Sequence, residues 1–248
     1  MIPITSIDEI RKIQLNILDY VHYLCEKYKL RYYLAGGTLL GAVRHKGYIP
    51  WDDDIDILMP RSDYEKLIYI INHNTNKKFR FLTYLNEKNY LEPFGRVVNM
   101  NTYIEFANEI KCKNMGVFID VFPMDGLNEK LDYYVNKRTL ICRTRLKGKF
   151  GIFNVIYGKI LCHQVNKRAR ADDFDSQKYI ACKVVGLGER EKIEYENFSE
   201  RILVDFEGRK YYAPIGYEVY LKNLYKDYMK LPPKNQQRRN HMFRTWYR

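Results

Sequence analysis

The chain is short of everything that would thread it through a membrane or staple it covalently. No apolar run approaches the ~20 residues that a membrane-spanning helix requires. Met1-Ile2-Pro3-Ile4 lacks the basic lead and apolar core of a secretory signal. The five cysteines are an odd number without CxxC spacing, which argues against a disulfide frame and against a zinc site. Reduced thiols in a cytosol are the reading that remains. Internal repeats and low-complexity tracts are missing, as are motifs for reading DNA or RNA. A net charge of +12 nonetheless asks for an anionic partner. With nucleic acid the weakest choice, an anionic membrane surface or a phosphate-rich substrate is left. The 248 residues, 46% hydrophobic and 29% charged, are ordinary for a globular chain and long enough for one sizeable core.

What the chain does have is concentrated in residues 34–59, LAGGTLLGAVRHKGYIPWDDDIDILM. In Asp54-Ile55-Asp56-Ile57 acids alternate with isoleucines, the period of a strand, so both carboxylates face one side and both isoleucines the other. Asp52 falls on the face of Asp54 and Asp56, whereas Asp53 is expected to hold the turn. Like charges side by side repel, and a divalent cation is the obvious counter-ion. Oxygen donors with neither His nor Cys among them favour Mg²⁺ or Mn²⁺. Ahead of the acids, Gly36-Gly37-Thr38 lets the backbone approach a ligand closely. If a helix begins there, its first N–H groups face an anion. A glycine pair alone is commonly just a turn. Joined to a carboxylate strand it suggests phosphoryl or nucleotidyl transfer.

The run GGTLLGAVRHKGYIPWDDDIDI resembles the signature of the LicD family, whose relatives include the fukutin-type proteins. A second stretch, PIGYEVYLKNLYKDYMKLPP, resembles that family's C-terminal signature, with Lys226 of Tyr225-Lys226-Asp227-Tyr228 standing where the family has glycine. The resemblance implies an α/β (α+β) fold of the nucleotidyltransferase kind, a mixed sheet with flanking helices. It implies metal-binding acids at Asp54 and Asp56 and a third acid on a later strand, matched by Asp120. It also implies transfer of a phospho-alcohol, typically phosphocholine from CDP-choline, to a glycan. A polyprenyl-linked saccharide at the inner membrane face would suit the basic charge, making the protein cytoplasmic with peripheral membrane contact. Two rivals remain: a nucleotidyltransferase that leaves the nucleotide on its acceptor, and a non-catalytic module docking on anionic lipid or glycan.

Along the rest of the chain, Ser6-x-x-Glu9 reads as a capping box opening an amphipathic helix to about Lys29, with His22 and Cys25 in its core or flank. Residues 32–35 are a short strand. Pro60 is expected to end the carboxylate strand, and Ser62-x-x-Glu65 to cap a helix to about Ile71. Strands are expected at 79–85, 94–100, 103–106 and 117–122, the last closed by Pro123. Residues 129–147 and 152–170 read as helices, 202–206 and 211–214 as strands about a Gly208 turn, and 216–229 as a helix. The expected division is 1–126 as catalytic core, 127–200 as mainly helical insertion, and 201–248 as a strand-helix segment completing the site. The basic-aromatic end, 238–248, reads as either membrane-lying or frayed.

Several further side chains are candidates. Asp120 lies between apolar neighbours, where a carboxylate is expensive unless paired or metal-bound. It would bind metal or take the proton from the attacking hydroxyl. Asp125 reads as a turn residue. Arg44, with His45 and Lys46 beside it, is placed to meet a donor diphosphate, or else lies in an exposed loop. Arg96 is a second phosphate clamp or a salt bridge at the core edge. Gly36, Gly37 and Thr38 complete the phosphate-binding set, and Trp51 packs under the acids or stacks on a base.

Overall fold

A computed structural model describes residues 1–106, 111–128, 151–185, 188–238 and 243–248. The main sheet has its order set by strands β2 (Tyr33–Leu34), β3 (Asp56–Pro60), β7 (Phe118–Gly126), β5 (Gly95–Asn99) and β4 (Phe79–Leu82), side by side in that sequence. β3 and β7 run parallel, with Asp56 opposite Asp120, while the other neighbours are antiparallel, so the sheet is mixed as expected. Helix α1 (Ile7–Tyr28) lays Ile10, Ile13, Ile17, Leu18, Val21 and Leu24 against the core and stops at Lys29, whose φ is 55°. His22 and Cys25 belong to that packing: Cys25 is fully buried and His22 Nδ1 lies 2.7 Å from the Tyr32 hydroxyl. Helices α2 (Gly36–His45) and α3 (Arg61–His73) follow β2 and β3.

Neither expected capping box forms. Ser6 occupies the N-cap of α1 without a side-chain bond, and Glu9 instead accepts from the Tyr247 hydroxyl at 2.9 Å. Helix α3 starts directly from Pro60, two residues before Ser62, and Glu65 pairs with Arg170 at 2.9 Å. The tertiary partner won over the local one in both cases. Pro123 does not close its strand either. At that point β7 has lost β5 and keeps only β3 beside it, so the missing N–H breaks no ladder, and the strand runs on to Gly126.

The short strand β8 (Tyr179–Ala181) pairs with the end of β7 and with β9 (Ile193–Glu194). The expected helix at 152–170 is α4 (Gly151–Ala169), whereas that at 129–147 lies outside the described residues. Strands β10 (Arg201–Phe206) and β11 (Arg209–Pro214) make the expected hairpin about Glu207-Gly208, followed by α5 (Tyr217–Tyr225). Of the basic-aromatic end, residues 239–242 lie outside the described residues and 243–248 are not frayed. Strand β12 (Phe243–Tyr247) sits between β1 (Ile2–Ile4) and β6 (Thr102–Phe106), and Arg248 donates to the carbonyls of Thr102 and Lys113, each at 2.8 Å.

Candidate active site

The acid run is held from behind by α1. Arg11 Nη2 donates to the carbonyls of Ile49, Pro50 and Asp52 at 3.2, 3.1 and 2.6 Å, and Gln14 Nε2 to that of Asp53 at 2.9 Å. The backbone is pinned at its far end too, where Asp120 donates its N–H to Ile55 at 2.8 Å and Ala35 to Asp56 at 3.0 Å. The expected alternation is therefore present although regular strand begins only at Asp56: Asp53, Ile55 and Ile57 are buried while Asp52, Asp54 and Asp56 are partly exposed.

Carboxylate oxygens of Asp52, Asp53 and Asp54 all come within 4.8 Å of one another. Burial, reinforced by Asp52 and Asp120, pushes the Asp54 carboxyl well above the usual carboxylate range. Asp56 lies beside Asp120 across the parallel pair. These acids have the donor chemistry that a hard divalent ion takes. Asp53, expected to serve only the turn, joins the cluster with its residue 2% exposed.

The glycine turn closes over the acids. Gly36 sits at φ 50°, a left-handed conformation that a side chain would strain, and a Cβ there would meet Asp56 Oδ2 at 3.2 Å. A Cβ on Gly37 would fall 2.5 Å from Asp52 Oδ2, so the acids use the space that glycine leaves. Thr38 is buried, and its Oγ1 accepts the Asp56 N–H at 2.8 Å, fastening α2 to β3. Its hydroxyl oxygen thus serves the protein's own backbone, with the hydroxyl proton still able to donate.

The two arginines are likewise engaged internally. Arg96 donates from Nε to Asp120 Oδ1 at 2.7 Å, and its guanidinium lies 4.0 Å from the ring centre of Phe118 and 5.5 Å from that of Phe106. Of its two expected roles, the structure displays the salt bridge. Arg44 is not in an exposed loop: Nη1 donates to the Tyr228 carbonyl at 2.8 Å and Nε to His45 Nε2 at 3.0 Å. Burial and then Arg44 lower the His45 pKa. Trp51 packs on the core with its ring 6.5 Å from that of His45. Asp125 is no turn residue. Fully buried on β7, it is gripped by Arg61 through both oxygens at 2.8 and 2.7 Å, with Asn166 taking a third guanidinium bond at 2.9 Å.

Residues 201–248 were expected to complete the site, but Tyr220 and Tyr225 of α5 were not among the candidates. Burial raises the Tyr220 pKa, with the Gly36 backbone as a small opposing influence, and the Tyr225 hydroxyl lies 3.7 Å from where a Gly36 Cβ would stand. Burial, then Asp56 and Asp52, raises the Tyr225 pKa. Helical spacing could have placed these tyrosines on one side of α5, but nothing local says that this side meets a turn 180 residues away. Lys226 keeps the left-handed bend expected of glycine, with φ 58° and ψ −107°, and Arg44 holds the carbonyl two residues on.

Residues 29–146 match a family described as LicD/FKTN/FKRP, nucleotidyltransferase domain. The lipopolysaccharide cholinephosphotransferase LicD of Haemophilus influenzae is 34% identical over 92% of this chain and 93% of its own length. An uncharacterized protein of Rickettsia prowazekii is 52% identical over 48% of this chain and 41% of its own. Human ribitol 5-phosphate transferase FKRP shares 53% identity over 38 residues, 15% of this chain and 8% of that protein.

Proposed function

The chain belongs to the LicD family, and on that premise we propose that it moves a phospho-alcohol, phosphocholine from CDP-choline foremost, onto a hydroxyl of a cell-surface glycan or its lipid-linked precursor. It is a LicD-type phosphotransferase. The observation that carries the substrate reading is the similarity to a cholinephosphotransferase along nearly the whole chain, α5 included. The stretch shared with a ribitol 5-phosphate transferase supports a common phosphate machinery with a variable alcohol.

Asp52, Asp54 and Asp56, with Asp120, would hold Mg²⁺ or Mn²⁺; the oxygen donors that lie within 4.8 Å of one another, from Asp52, Asp53 and Asp54, suit such an ion, and Asp120 stands opposite Asp56 with one oxygen already held by Arg96. When bound, the ion supplies positive charge against the donor diphosphate. The rest of the work falls to the chain. The Gly36-Gly37 turn offers backbone that a phosphate can approach without meeting a side chain. Arg44 ties the Tyr228 segment to α2. Arg96 orients Asp120 through its Nε bond, leaving this acid beside Asp56 to receive the proton of the attacking hydroxyl. The acceptor oxygen bonds to the phosphorus that bears the alcohol, the bond from that phosphorus to the bridging oxygen breaks, and CMP departs. Residues 201–248 complete a site begun within 1–126, with 127–200 as an insertion between them.

The test is CMP release from CDP-choline, CDP-ribitol and CDP-glycerol in the presence of a glycan acceptor, with and without Mg²⁺. Release from at least one donor, abolished by chelation, is the expected result. An acceptor that gains nucleotide mass, or silence with every donor, would overturn the reading. Among the described residues no helix is long and apolar enough to cross a membrane. The charge of +12 supports work on a cytoplasmic, anionic membrane face, which equal sedimentation with neutral and anionic liposomes would refute.

A further inference from the structure

Beyond α5 the chain keeps its outer side chains in solvent although it is firmly held from within. Leu224 and Tyr228 pack on the core, and Arg44 Nη1 donates to the carbonyls of Tyr228 and Lys230 at 2.8 and 3.4 Å. Backbone bonds close successive turns: the Tyr228 N–H donates to Lys226 at 2.9 Å, that of Lys230 to Asp227 at 3.1 Å, and that of Gln236 to Pro233 at 2.8 Å. On this pinned stretch and the helix before it, Ile215, Val219, Tyr225, Met229 and Leu231 are all exposed, Met229 by 57% and Leu231 by 52%. A lone exposed apolar side chain is ordinary. A run of them this close in sequence asks for something to cover it.

The charges on the same stretch say what the cover is. Lys222, Lys226, Lys230 and Lys234 are exposed, and none has an ion pair among the described residues. Between residues 215 and 238 the only acids are Glu218 and Asp227. The neighbouring hairpin behaves otherwise, for Lys210 pairs with Asp205 at 2.7 Å and Arg209 with Asp19 at 3.0 Å. A small phosphate compound would answer the lysines and leave Met229 and Leu231 in water. An apolar protein surface would cover those two and bury lysines without counter-ions. Anionic headgroups over acyl chains satisfy both, because ammonium groups stay hydrated at the interface while apolar side chains sink below it. Nothing crosses: α5 has 9 residues, and irregular backbone of the kind that follows it is tolerated at headgroup depth and not among lipid tails. The stretch also borders the cleft, since the Tyr225 hydroxyl lies 3.7 Å from where a Gly36 Cβ would stand and Arg44 comes from α2.

We infer that residues 215–234 are the surface that seats the protein on a bilayer containing anionic phospholipid, with the cleft beside it at headgroup level. Its consequence for the substrate, an acceptor presented by the membrane, rests on the phospho-alcohol transferase reading; the surface itself does not. The full chain is sedimented with vesicles of phosphatidylcholine, alone or with about a third phosphatidylglycerol. The wild type should prefer the anionic vesicles. Each lysine near such a surface is worth on the order of fivefold, so Lys222→Gln with Lys230→Gln and Lys234→Gln should weaken binding about a hundredfold. Met229→Ser with Leu231→Ser should weaken it roughly tenfold. Lys12→Gln with Lys66→Gln and Lys88→Gln, exposed lysines of other elements, removes the same charge and should bind as the wild type does. CMP release with a soluble glycan acceptor should be unchanged in all three variants. Equal losses in the two lysine variants would show net charge acting without a particular surface and overturn the inference, although membrane contact would survive. Full binding by the serine variant would overturn it too, and if that variant does not fold the two lysine variants decide. A wild type indifferent to both vesicles, or one that forms a dimer lost in the serine variant and binds no lipid, would refute the surface and the membrane reading together. Should no donor release CMP, the transferase reading fails and sedimentation still decides the surface.

Discussion

Strand β7 and its surroundings handle buried charge in two opposite ways. At its far end Asp125 is fully buried and completely answered: Arg61 grips both oxygens, and Asn166 takes a further N–H of the same guanidinium. At the site end carboxylate oxygens of Asp52, Asp53 and Asp54 lie within 4.8 Å of one another, Asp54 is pushed up by burial and by its neighbours, and Glu191 Oε2 has no hydrogen-bond partner among the described residues. Lys226 adds a backbone bend that a lysine adopts only at a cost. The fold can evidently satisfy a buried carboxylate when structure is the purpose. Gathering several carboxylates together is what a site reserved for cations and phosphates looks like.

Substitutions at the two ends should therefore act in opposite senses. The largest effect is expected from Asp54→Asn, which should cut CMP release on the order of 10³-fold, equivalent to about 4 kcal/mol of barrier. The same change removes a like charge, so the melting temperature of the metal-free protein should hold or rise; a fall would class Asp54 with the structural acids. Arg61→Ala should do the reverse. Stripping Asp125 of its partner should cost about 3–5 kcal/mol in urea unfolding, with turnover per folded molecule preserved.

A pH series sharpens the contrast. A carboxyl whose folded pKa is raised binds more protons when folded, so its favourable share is full at low pH and is lost as pH climbs through the folded value. For Glu191 that window runs from the ordinary 4.5 to about 7. The groups facing it, Cys182, Tyr220 and Tyr225, have pKa values raised by burial and stay neutral there. The wild type should lose up to roughly 3 kcal/mol across this window that Glu191→Gln does not lose. Thermal melts at pH 5 and 8 read the difference, and parallel slopes would mean that Glu191 is solvated or paired. The smallest effect belongs to Lys226→Gly, which should stabilise by about 1 kcal/mol by relieving the left-handed strain. No gain would show that the bend costs nothing.

How much of this was legible depended on whether the cause was local. The alternation from Asp52 to Ile57, the glycine turn and the hairpin at Glu207-Gly208 are short-range patterns, and each is present. Asp56 beside Asp120 could be read because both lie in strands with apolar partners. What failed had causes remote in sequence. Glu9 was drawn from its cap by Tyr247, Pro123 was spared because a neighbouring strand had ended, and Asp125 was buried by an arginine on α3. Arg44 was engaged by a carbonyl far along the chain. Glu191 has no pattern around it at all. Only the fold reveals that it is buried on a turn packed against α5.

The bond from Arg44 to the Tyr228 carbonyl has a practical corollary. It ties the α2 side of the cleft to a segment well beyond residue 146, where the recognised domain stops. A fragment trimmed to that domain would retain Asp52, Asp54, Asp56 and Asp120 yet forfeit Tyr220, Tyr225 and the tether itself. Minimal catalytic units of such proteins should be cut by following their side chains through space, since domain borders drawn from sequence likeness would sever the cleft down its middle.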